Sequence, residues 1–166
     1  MKHLLRKIVN HLESELICYN DLSQTYDVQK EILIQNKHLE LQEIDNRFTT
    51  LYNKIQKLDK TRKELFNELK PGTEKLSDVI KIAKKEESPS VEKLEEFKKE
   101  FNRLKKELER KRYVNFELLK NGVTITDKKL GIIIEAITPQ GSSYNRKGKG
   151  KDLKKDLPVS TINREA

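Results

Sequence analysis

Cys18 and the three histidines, His3, His11 and His38, are the side chains from which a metal site or an activated nucleophile would be assembled. Their spacing assembles neither. There is no H-E-x-x-H or Cys-His arrangement to hold a metal ion, and a single cysteine closes no disulfide within the chain. The carboxylates are dispersed among lysines, as in Lys98-Lys99-Glu100 and Lys105-Lys106-Glu107, which is the pattern of a solvated helix face rather than of a general acid–base pair. The sequence also lacks a glycine-rich phosphate loop and a nucleophile elbow. These residues predict a protein that is not an enzyme, takes no metal and no cofactor, and works through recognition by helix surfaces.

The pattern suited to recognition lies in the second half. Leu94, Phe97, Phe101, Leu104 and Leu108 recur at alternating intervals of three and four, and the same register continues through Lys111, Asn115, Leu118 and Gly122. A seam that begins apolar and turns polar without losing register is expected to pack firmly at its start and to be held loosely, or shared with a partner, further on. Beyond it, Leu119, Val123, Leu130, Ile133 and Ile137 form a stripe shifted by one position, a stutter of the kind that locally unwinds a coiled coil. The same stretch also reads as two short strands, 123–126 and 132–134, around a turn at 127–131. Helix is the reading preferred here, because a lone hairpin in a helical chain has no sheet to join.

The elements that must position this stretch are helices. Apolar residues make up 34% of the 166 and charged residues 37%, with six glycines and four prolines, a composition of long helices. Leu5, Ile8, Leu12, Tyr19, Leu22, Tyr26 and Leu33 mark an amphipathic helix over about 2–35, interrupted on its seam by Glu15 and Gln29. Asn36 is the turn residue and a candidate N-cap for a second helix over about 37–69. Its seam, Leu41, Ile44, Phe48, Leu51, Ile55, Leu58, Arg62, Leu65 and Leu69, is polar only at Arg62, whose head is expected to reach solvent or a carboxylate of the first helix. The two helices are of matching length, so an antiparallel hairpin buries both seams. Pro71-Gly72 ends the second helix, a short one follows over about 74–86, and Ser88-Pro89 launches another over about 89–121, with a last one over about 123–137. The expected fold is all-α: an elongated antiparallel helical bundle or coiled-coil hairpin, residues 1–137, followed by a flexible basic tail, residues 138–166.

Charge and hydropathy narrow the partners. Of the net +8, half lies in residues 138–166, where seven Lys/Arg face three acids, and the rest is spread as interspersed pairs. A phosphate-tracking surface needs a stripe of one sign with aromatic stacking partners, so no nucleic acid is expected. No apolar run reaches the roughly 18 to 20 residues of a membrane span, so no membrane insertion is expected, and the single cysteine suits a reducing, cytoplasmic setting.

Several local patterns together resemble the FlgN family of flagellar export chaperones. The second helix closes with Leu58-Asp59-Lys60-Thr61-Arg62-Lys63-Glu64-Leu65-Phe66, the later half carries Asn115-Phe116-Glu117-Leu118-Leu119, and the end holds Tyr144 with Gly148 four residues on, then Arg164-Glu165-Ala166. Where the family has Gly-Asp at the first turn, this chain has Gln35-Asn36. The resemblance implies a cytoplasmic chaperone that binds the C-terminal helical segments of hook–filament junction (hook-associated) proteins, prevents their premature assembly and delivers them to the flagellar export gate, with the export ATPase as a further contact. It implies partner-binding roles for Asn115, Leu118, Leu119, Leu130, Ile133 and Ile137, and a gate-docking role for Tyr144 with Gly148. Two other readings stand beside it: these leucines and isoleucines pack on the first two helices, or the chain is a dimeric coiled-coil adaptor zipped through residues 41–69. The chaperone reading expects a monomer or a weak homodimer.

Overall fold

The computed structural model describes residues 1–137. They form α1 (Lys2–Ile34), a 3-10 turn (His38–Glu40), α2 (Leu41–Leu69), α3 (Leu76–Lys85) and α4 (Val91–Ile137), with no strand among the described residues. Residues Met1–Val123 make up one compact unit and a second begins at Thr124, inside α4.

The turns follow from local chemistry. After α1, Asn36 takes a left-handed φ of 55°, while its amide bonds Leu33 O at 3.3 Å and the Lys37 amide bonds Ile32 O at 3.0 Å. This is the paired closure of a Schellman motif, which asparagine tolerates better than most residues. Asn36 therefore ends α1 and does not cap α2, which begins five residues later. Glu87 closes α3 in the same way, at φ 45°, with Glu87 N to Lys84 O at 3.2 Å and Ser88 N to Ala83 O at 3.0 Å. Between α2 and α3, Gly72 at φ 82° and the Thr73 amide on Lys70 O at 3.1 Å form the tight turn that a Pro-Gly pair favours. Ser88 Oγ accepts the Ser90 amide at 3.3 Å, and α4 starts at Val91.

In the first unit the seams meet in two apolar clusters. One joins Leu5, Ile8, Val9 and Leu12 of α1 to Phe66 and Leu69 of α2, Val79, Ile80 and Ala83 of α3, and Leu94 and Phe97 of α4. The other joins Cys18, Leu22, Tyr26 and Ile32 of α1 to Ile44, Phe48 and Leu51 of α2. The start of α1 thus lies against the end of α2, the antiparallel hairpin expected from their matched seams. Phe66, at 1% exposure one of the most deeply buried side chains, lies beside the expected seam of Leu65 and Leu69.

A polar layer separates the clusters. Glu15, at a seam position of α1 and 1% exposed, accepts Arg62 Nη1 at 2.7 Å and contacts His11 Nε2 at 3.2 Å. His11 also meets Leu58 O at 2.9 Å, and Arg62 reaches Asp59 as well. Of the two expectations for Arg62, solvent or a carboxylate of α1, the structure shows the second. Glu15 and Gln29 continue the three-four spacing of α1 as buried members of the seam rather than breaks in it.

α4 is a single helix of 47 residues, with no interruption at Gly122 and no hairpin in 123–137. A helix already propagated through residues rich in Lys, Glu and Leu has passed its nucleation step, so continuing through Val123-Thr124-Ile125-Thr126 costs only the small per-residue penalty of β-branched side chains.

Candidate functional site

The expected partner-binding residues from Asn115 to Ile137 lie on α4, which changes character along its length. From Leu94 to Leu104 it is core. From Glu107 to Asn115 it is clamped to α1 by polar contacts. Lys111 Nζ donates to Ser23 Oγ at 2.7 Å and Asp27 Oδ2 at 2.7 Å and pairs with Glu107 Oε1 at 2.9 Å, while Ser23 Oγ donates to Glu107 Oε1 at 2.8 Å. These donors set the electrostatics. Hydrogen bonds from Lys111 and then Ser23 hold the Glu107 carboxyl below its ordinary pKa. Burial pulls Lys111 down, but Asp27 and Glu107 together outweigh it and hold the ammonium above its usual value. Asn115, 2% exposed, donates its amide to Tyr26 O and Gln29 Oε1, both at 2.8 Å. The rising residue numbers on both sides show that α4 runs parallel to α1 here, and no buried side-chain nitrogen or oxygen among the described residues lacks a partner.

The candidate residues fall into distinct settings. Asn115 is a buried tie between α4 and α1, with its amide hydrogens engaged inside the chain. Leu118 is half-buried and Leu119 is 39% exposed. In the second unit Leu130 and Ile133 are 51% and 54% exposed, and Ile137 is the last residue of α4. Tyr144 and Gly148 lie outside the described residues. Three neighbours that the spacing argument did not single out are as open: Ile125, Ile132 and Ile134 are all exposed. For Ile132 and Ile134 the signal in the sequence is the unbroken Ile132-Ile133-Ile134 run, which also fits a strand. On a helix such a run points in several directions at once. Leu130, Ile133 and Ile134 share one face, while Ile125 and Ile132, seven apart, share another.

The first unit also carries an open furrow of about 490 Å³ between α2 and α4, floored in part by Tyr19, Tyr26, Phe101 and Leu108 and bordered by Tyr52, Lys105, Glu109 and Arg112. Tyr26 and Tyr52 join hydroxyls at 2.7 Å, and burial first, then that bond, pushes the Tyr26 pKa up. Among the described residues no group of His, Cys, Asp and Glu could hold a metal ion, and no helix is long and apolar enough to cross a membrane.

A helical bundle that satisfies its own buried polar groups, yet leaves a run of large aliphatic side chains uncovered on its last helix, has the form of a protein that holds another polypeptide. The family model described as FlgN protein matches residues 1–151, and the chain belongs to that family, the flagellar export chaperones. No curated protein and no solved structure matches it.

Proposed function

We propose that this chain is a non-enzymatic cytoplasmic chaperone that holds the C-terminal helical segment of a hook–filament junction protein on the aliphatic surface of residues 125–134, blocks its premature assembly and delivers it to the flagellar export gate. Residues 1–137 form the chaperone domain in this reading. Residues 138–166 are the basic tail, whose Tyr144 and Gly148 dock on the gate, with the export ATPase as a further contact. One observation carries the proposal: Ile125, Leu130, Ile132, Ile133 and Ile134 are each 43% to 67% exposed on a single helix. Leu130, Ile133 and Ile134 share one face, and covering these three half-exposed side chains contributes on the order of 3 kcal/mol from this side, at about 1 kcal/mol each. That lies within the ordering cost of a segment that folds on binding, about 2–5 kcal/mol, so capture depends on all three. Leu119 and the half-buried Leu118 are secondary contributors, and Asn115 acts by holding α4 on α1.

The seam of α2 supports one chain rather than a zipped pair, since Ile44, Phe48 and Leu51 are already buried against α1. The test is calorimetric titration of the full chain with a peptide of a junction protein's last helical segment. Leu130→Asp and Ile133→Asp, which remove apolar contact and place a charge in the interface, should each weaken binding about a hundredfold while leaving the circular dichroism of the bundle unchanged. Undiminished affinity in both variants sinks this placement.

A further inference from the structure

The furrow between α2 and α4 is remote in sequence from the aliphatic run, and the reading above makes no use of it. Its floor is aromatic. Tyr19 meets Phe101 edge-on at 5.9 Å between ring centroids, and Tyr26 packs on Phe48 at 4.7 Å. Tyr52, 44% exposed, stands at the opening. The α4 border carries Lys105 and Arg112, both exposed, and neither is in an ion pair among the described residues. The charge of Arg62, by contrast, is answered by Glu15 and Asp59.

We infer that this furrow docks an acidic amphipathic helix of a partner protein, one large apolar side chain entering over Tyr19, Tyr26 and Leu108 while carboxylates two turns apart meet Lys105 and Arg112. The spacing fits. Lys105 and Arg112 are seven residues apart on one face of α4, about 10.5 Å along its axis, the separation of two side chains at i and i+7 on a second helix lying alongside. A groove walled by two helices is the common seat for such a segment.

The signs discriminate among occupants. The chain's own C-terminal stretch carries seven Lys/Arg against three acids, and a second copy of the chain carries +8, so the cationic border disfavours both. Glu109 falls between Lys105 and Arg112 on the same face and interrupts what would have to be an unbroken cationic track for a phosphate backbone. A helix presenting two discrete carboxylates steps over it.

The probe is a fluorescein-labelled amphipathic peptide of about five turns with Leu and Phe on one face and Glu on the other, beside its Lys-for-Glu counterpart and an oligothymidylate. Anisotropy with the full chain should show the acidic peptide binding about tenfold or more tightly than the basic one, and the double variant Lys105→Glu, Arg112→Glu should reverse that order. On the unmutated chain, amide shifts caused by the acidic peptide should centre on Tyr52, Leu108 and Arg112. Equal affinity for the two peptides, indifference to the charge reversal, shifts centred on 125–134 instead, or tighter binding of the oligothymidylate each overturns the assignment. Loss of junction-peptide binding in Ile133→Asp leaves these results untouched, so the two sites fail or stand separately.

Discussion

The carboxylate of Glu15 is buried to within 2% of full enclosure in the middle of the α1–α2 hairpin, and only Arg62 and His11 make that tolerable. Removing one member of a buried ion pair strands the other without water, a loss of about 3–5 kcal/mol, whereas exchanging both for apolar residues of similar volume is often neutral or stabilising. Arg62 keeps about a quarter of its side chain in solvent, which moderates the figure. Arg62→Leu should therefore lower the unfolding free energy by about 2–4 kcal/mol, and Glu15→Leu with Arg62→Leu should recover most of it, as urea titrations followed by circular dichroism would measure. A single variant as stable as the parent chain would mean that the layer carries no stability. Residue type and register foretold that the head of Arg62 would reach either solvent or a carboxylate on α1. Which one was not legible, because Glu15 reads as a break in an apolar stripe until its partner across the hairpin is known.

The clamp between α1 and α4 belongs to the scale of elements, since it decides how far along its length α4 is held. Ser23, Asp27, Glu107 and Lys111 share one network, and the Glu107 carboxyl is held below its ordinary pKa by Lys111 and Ser23. A carboxyl whose pKa is depressed in the folded state contributes stability that is fully present above its unfolded value of about 4.3 and disappears as pH falls through the lower folded value. The α4 amides from 107 to 115 should thus exchange faster with solvent hydrogen as pH drops below about 4, beyond the intrinsic pH dependence of exchange. Glu107→Gln should flatten that response and weaken the clamp already at neutral pH. An unchanged pH response in the variant would assign the acid sensitivity elsewhere. The polar turn of the seam at Lys111 and Asn115 was legible, and it suggested loosening. The structure shows the opposite at these two positions, because α1 offers Ser23, Asp27 and Gln29 in matching register. Polar residues on facing seams hold two helices together once each finds its partner, and a single helix's pattern cannot reveal the other side of that match. Helix beyond Gly122 was legible, because the chain offers no sheet for a hairpin at 123–134 to join, but the break expected between 121 and 123 is absent, since one helix runs through Gly122.

At the scale of the molecule, stability and capture are carried by different stretches of chain. Among the described residues the buried side chains all lie at or before Asn115, most of them in two apolar clusters with the Glu15 layer between, and the first compact unit ends at Val123. The side chains assigned here to capture, from Ile125 to Ile134, contribute nothing to those clusters and stand exposed. Composition and seam spacing made the hairpin readable because its apolar stripes answer each other within the chain. An exposed stripe has no internal answer, so its meaning comes from what is left uncovered once the rest is packed. A chain ended after Val123 should then keep its cooperative thermal transition within about 2–4 °C of the full-length midpoint, the shift that roughly 1 kcal/mol produces in a domain of this size, while junction-peptide binding by calorimetry disappears. The two readouts oppose the alternative directly. Were residues 124–137 part of the bundle's own core, truncation would remove buried apolar area and lower the midpoint far more than that. Were capture a property of the bundle, the shortened chain would still bind the junction peptide.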